Sequence, residues 1–175
     1  MTDFRNRYVI EGKFDICGLI NDDFVLAIKE TWNKKRYTSC LKLLVSFIDT
    51  MAFVQNGDSS STFFKHWVSS YVDLSPIGIT PDELWEHRNA LLHMSTYDSR
   101  KVLSGCVSRL VPYVGSSNPP ESKANVKYYS MYSLIMAVMQ GLGKYVLVME
   151  KDDVMRQRFC DNYEKTISDS HFFIP

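Results

Sequence analysis

The sequence predicts a mainly α-helical bundle of about five or six helices, folded as a single domain over residues 1–175. Three observations carry this prediction. Apolar residues recur at helical spacing along most of the chain, capping signals stand before several of those stretches, and 45% hydrophobic with 23% charged residues is the composition of a packed globular protein. A chain of this length can bury roughly two-thirds of its unfolded surface around one core.

Residues 8–20, "YVIEGKFDICGLI", are rich in β-branched side chains but do not alternate cleanly, so they match neither helix nor strand period. Asn21, Asp22 and Asp23 offer an N-cap and first-turn acids for a helix over "FVLAIKETWNKK", whose cationic end suits the helix dipole. "YTSCLKLLVSFIDTMAFV", from Tyr37 to Val54, is apolar nearly all round, the pattern of a central helix. Only Lys42, Ser46, Asp49 and Thr50 interrupt it, and their spacing places them on one narrow stripe facing solvent or a polar cleft. "QNGDSSS" is a loop whose serines can cap a third helix, "TFFKHWVSSYV", with an aromatic face of Phe63, Phe64, Trp67 and Tyr71.

Thr80, Pro81 and Glu83 form a capping-box sequence, with proline at the first helical position. Beyond Met94, "VLSGCVSRLVPYV" mixes β-branched residues with a glycine and a late proline, a pattern that fits either a short β hairpin near residues 100–115 or two short strands. "GSSNPPES" is a loop. A long apolar helix from Ala124 to Glu150, a charged helix from Asp152 to about Ser168 and an "HFFIP" tail complete the chain. There is no internal repeat, low-complexity tract or interdomain linker.

Twenty basic residues balance twenty acidic ones, which excludes a broad nonspecific nucleic-acid surface and leaves room only for a local basic cleft. Cys17, Cys40, Cys106 and Cys160 are widely spaced and read as reduced core residues. The apolar run from Met131 to Met149 contains Gln140, Lys144 and two glycines, so a buried helix is expected there and no membrane span. The charged first residues lack the apolar core of a secretory signal, and a cytosolic location is expected.

"TPDELWEHRNALLHM", Thr80 to Met94, carries the chemistry. On a wheel of about 100° per residue, Leu84, Trp85, Leu91 and Leu92 define an apolar sector, and Arg88 points into its centre. Asn89 and His93 lie together at the sector's edge, while Glu86 and Ala90 turn away. A guanidinium keeps its charge, so an inward Arg88 requires an anion or a wet cavity, and Asp49 on the polar stripe is the best candidate. Two readings follow. Arg88 and Asp49 form a structural ion pair beside an unremarkable His93 and a surface Asn89, or the same residues form a site.

The segment "RNALLH", Arg88 to His93, resembles the R-x4–6-H signature of the HEPN superfamily, all-helical domains that include many ribonucleases. A polar residue directly after the arginine is typical of active members, and Asn89 supplies it. The resemblance spans about residues 24–95, where an apolar helix with an acid ("SFIDTMA") precedes an aromatic helix and then the motif helix. It implies metal-independent RNA cleavage, in which the 2′-hydroxyl attacks the neighbouring phosphate and leaves a 2′,3′-cyclic phosphate. His93 then serves as general base or acid, Arg88 clamps the phosphate, and Asn89 orients the histidine or a phosphate oxygen. Asp49 supports Arg88.

One histidine per chain is thin for a reaction needing both a base and an acid, and a two-fold homodimer facing His93 with its copy relieves this. The expected protein is therefore an endoribonuclease-like HEPN domain acting as a toxin or defence effector, with RNA and an antitoxin or other protein as partners. The alternative is a noncatalytic HEPN-like binding or dimerisation module, or an interaction subunit that docks another protein through the aromatic third helix. No cofactor or metal is expected: Glu83 and His87 are an i, i+4 pair without a third ligand and read as a solvated face. His66 reads as partly buried, and His171 as exposed in the tail. "GLGK", Gly141 to Lys144, lies in a helical run and is no phosphate loop.

Overall fold

The protein is seen in a computed structural model that describes residues 7–115, 119–121 and 123–168. The "HFFIP" tail with His171, and part of the "GSSNPPES" loop, lie outside the described residues.

The ambiguous N-terminal stretch divides into two motifs. Strands β1 (Val9–Ile10) and β2 (Lys13–Phe14) pair antiparallel around Glu11 and Gly12, both at positive φ, as a two-residue hairpin turn requires. Asp15 then caps α1 (Ile16–Ile20), its carboxylate accepting from the Gly18 amide at 2.9 Å. The helix runs on through a π-helical turn, Asn21–Val25, into α2 (Leu26–Asn33). The expected cap at Asn21–Asp23 is thereby corrected, because those residues lie inside a helix already begun. Their carboxylates work sideways instead, Asp22 accepting from Arg7 and Tyr8, and Asp23 from Tyr163 and Ser168.

Helix α3 (Tyr37–Asn56) is central, as its composition predicts, and touches α2 and four later helices. Leu44, Val45, Phe47, Ile48 and Met51 on it are fully buried, and Gly57 closes it at φ 78, where a side chain would be strained. Helix α4 (Ser61–Tyr71) starts on the Ser60 hydroxyl and buries Phe64, Trp67 and Val68. Trp67 meets Phe47 and Tyr145 edge-on, so most of the aromatic face belongs to the protein's own core. That burial removes the motive for a docking role. His66, expected to be partly buried, is exposed, because it points away from that core.

Helix α5 (Pro81–Asn89) and its π-helical extension, Ala90–Met94, carry the motif, and a single turn, α6 (Arg100–Leu103), follows. The hairpin expected near residues 100–115 is corrected. Only β3 (Arg109–Tyr113) forms there, and its partner is the distant β4 (Val126–Ser130), paired parallel from Arg109–Val126 to Tyr113–Ser130. A parallel pair needs a long connection, which the turn-rich residues 114–125 provide. β4 occupies the start of the segment expected to be helical throughout, and α7 (Met131–Met149) begins only after it, capped by Ser130. Asp152 caps α8 (Asp153–Tyr163). Among the described residues, six continuous helices exceed two turns, within the predicted range.

Gly141 lets α7 approach the end of α4: a Cβ there would lie 2.9 Å from Val72 Cγ2 and 3.0 Å from the Tyr71 carbonyl oxygen. Helices α3 and α7 are both long and apolar enough to cross a membrane, and 50% and 28% of their apolar windows are buried here. Helix α7 is thus less buried than its sequence suggests, with Tyr132, Met136, Leu147 and Val148 exposed on its outer face. Four cysteines are free thiols. Cys40 is buried and Cys160 half-buried, but Cys17 and Cys106 are exposed, contrary to the expectation that all four sit in the core.

Candidate functional site

The site is placed by the start of α5. Thr80 accepts from the Glu83 amide, and Glu83 accepts in return from the Thr80 amide at 2.9 Å, completing the capping box that the sequence predicts. With its first turn held, α5 lays Leu84 into the core, and Trp85 meets Phe64 of α4 edge-on at 5.2 Å. Arg88 lies over the face of Trp85, its Cζ 5.0 Å from the ring centroid.

Three groups meet this guanidinium. Nη2 donates to the Asp49 carboxylate of α3, in an ion pair whose side chains are only 12% and 18% exposed. Nη1 donates to Asn89 Oδ1 at 3.0 Å and to His93 Nε2 at 2.8 Å. An arginine has no acceptor, so Nε2 of His93 receives the bond. Arg88 Nε is buried without a partner. All four residues singled out from the sequence, Asp49, Arg88, Asn89 and His93, are therefore in one constellation.

The wheel alone does not bring Arg88 and His93 together, since residues five apart on an α-helix are about 140° apart. The π-helical turn does. Over Ala90–Met94 the helix widens, the Ser95 amide donates to the Ala90 carbonyl five residues back, and Ser95 at φ 52 ends the helix. An i, i+5 pair then shares a face. The sequence carries one clue to this turn: "RNALLH" spaces its two functional residues by five. Past the helix end, Lys42 Nζ of α3 donates to Ser95 Oγ at 3.1 Å, which ties the exposed His93 turn to the same central helix.

The far side of α5 is the main surprise. Glu83 and His87, expected on a solvated face, are buried, and so is Glu86. Sequence periodicity missed the strand pair that covers this side. Lys127 of β4 pairs with Glu83 at 2.8 Å and Lys101 with Glu86 at 3.2 Å, so both carboxylates keep a counter-charge. His87 Nε2 lies 2.9 Å from the hydroxyl of Tyr129, also on β4, and Tyr97 stacks on the ring. Burial lowers the His87 pKa to about 4, so this histidine is neutral and structural. Among the described residues, no three histidine, cysteine or carboxylate side chains gather as a metal site would require.

No family model, curated protein or solved structure matches this chain. The functional reading therefore rests on the residues themselves and on the resemblance of the motif.

Proposed function

We propose that the chain is a HEPN-like, metal-independent endoribonuclease, acting as a toxin or defence effector in the cytosol. The observation that carries this reading is the meeting of Asp49, Asn89 and His93 on the single guanidinium of Arg88. A phosphate that displaces the contacts of Arg88 takes up its donors and releases Nε2 of His93. That nitrogen can then remove the proton of a 2′-hydroxyl, the 2′-oxygen forms a bond to phosphorus, and the P–O5′ bond breaks. The departing 5′-oxygen needs a proton. In a homodimer, His93 of a second copy supplies it, and the exposure of His93 with its neighbours Met94 and Tyr97 leaves this edge open to such a partner.

The test is purified protein with RNAs of several classes in chelator, with product ends identified. Cleavage to 2′,3′-cyclic phosphates that disappears in His93→Ala supports the reading, and no cleavage above that control overturns it.

A second reading is a noncatalytic binding or dimerisation module of the same fold. It is favoured by the Asp49–Arg88 ion pair, which satisfies the guanidinium's charge without any ligand. Under it, Arg88→Ala lowers stability or dimer formation and alters no activity.

A further inference from the structure

We propose that two copies of this chain pair antiparallel through the outer face of α7, the Met136 side chain of each seated over Gly143 of the other. The inference is independent of the ribonuclease reading, because no residue of the Arg88–His93 site lies on α7.

The face belongs to one helix, so its continuity follows from helical geometry. At about 100° per residue, Tyr132, Met136, Met139, Gly143 and Leu147 fall within about 80° of one another, opposite the sector in which Leu134, Val138 and Tyr145 are buried. Tyr132, Met136 and Leu147 are 55%, 40% and 58% exposed. Beside this ridge opens a groove of about 540 Å³, where Cys17, Ile20 and Val25 face Met139, Val146 and Leu147. Large apolar side chains gathered on one exposed face mark a contact surface.

The pattern matches a reversed copy of itself. Tyr132 and Leu147 stand equally far along the helix from the point between Met139 and Gln140, and so do Met136 and Gly143. A two-fold axis through that point sets the tyrosine ring against leucine and the long thioether against a glycine at which an added Cβ would meet nothing within 4 Å. The missing side chain lets the two helices approach closely.

The two ends agree in charge. Trp32 packs on Tyr132 at 5.8 Å, and around Trp32 in the sequence Lys29, Lys34, Lys35 and Arg36 stand against Glu30 alone, which Lys34 holds. At the other end Asp15, Glu150 and Arg156 line a groove with Val146, and Lys151, Asp152 and Asp153 follow Glu150, so four acids stand against two bases. The same axis lays the basic end of one copy near the acidic end of the other. A lipid surface requires neither that alternation nor an empty position at Gly143. Two helix widths by the rise from Tyr132 to Leu147 is about 20 Å by 22 Å, roughly 450 Å² a side, which fits a dissociable dimer.

Sedimentation velocity of the full chain over a concentration series reads the pairing. Gly143→Leu is expected to weaken it roughly ten-fold without lowering the thermal midpoint, since in a single chain the added side chain enters open space. A merely sticky patch would associate more strongly with the extra leucine. Lys35→Glu and Glu150→Lys are each expected to weaken pairing, and the two together to regain it. A chain that stays monomeric at every concentration, a dimer indifferent to Gly143→Leu, or charge reversals that do not compensate overturns the proposal. A dimer that ignores Gly143→Leu but is lost on replacing His93 removes this inference and leaves the ribonuclease reading standing.

Discussion

Arg88 and His93 stand five residues apart and touch at 2.8 Å because the helix between them is wound as a π turn. The same guanidinium reaches across to Asp49 on another helix, so one side chain joins the motif to the core.

Removing the carboxylate should leave a largely buried cation unpaired. Asp49→Ala is expected to cost about 2 kcal/mol or more in urea unfolding, and Asp49→Ala with Arg88→Met to recover most of it. Equal losses in the single and double variants would show that the pair contributes nothing as a pair.

Arg88→Lys tests the fork. A lysine keeps the charge but cannot hold Asp49, Asn89 and His93 at once. If the chain cleaves RNA, activity should fall about 100-fold or more while the unfolding midpoint moves little, as comparison of cleavage rates with circular dichroism would show.

His87 predicts a pH effect. The unfolded chain takes up this proton below about 6.5 and the folded chain only below about 4. Stability contributed by neutral His87 is thus complete above pH 6.5, falls as pH drops through that window, and has lost about 3 kcal/mol by pH 4. Denaturation curves of His87→Gln should lack this part of the slope.

The two glycines of "GLGK" should respond in opposite directions. Gly141→Ala meets Val72 and the Tyr71 carbonyl and is expected to cost about 1–3 kcal/mol. Gly143→Ala points into open space within a helix and should stabilise by about 0.5–1 kcal/mol. Thermal melts of the two variants suffice.

The capping box offers a local control. Thr80→Ala should cost about 1 kcal/mol and Thr80→Ser little, measured by urea unfolding, since serine retains the hydroxyl that accepts from Glu83.

The sequence carried much of this architecture because its signals were local. Capping at Thr80, the apolar circumference of α3, and the place of Asp49 within it are properties of single helices, and the structure has them. What stayed hidden depended on partners distant in sequence. The parallel pairing of β3 with β4 crosses a loop, so nothing near Glu83 or His87 announced that strands would cover them. Asp15 caps the first helix although Asn21, Asp22 and Asp23 stand together a little further on, and the two aspartates anchor tertiary contacts instead. The contact of Arg88 with His93 needed a helix of altered pitch, which a wheel of fixed angle excludes.

The position of α3 has a dynamic consequence. Its inner face is packed against five other helices, with Leu44, Val45, Phe47, Ile48 and Met51 fully buried, so the backbone amides around Leu44 to Met51 are expected to exchange with solvent only in near-global openings. His93 rides on an exposed helix end closed by a left-handed serine, and such ends fray far more often. Asp49 and His93 therefore live on different clocks: the carboxylate keeps its station over the lifetime of the fold, and the imidazole makes and breaks its bond to Arg88 many times within it.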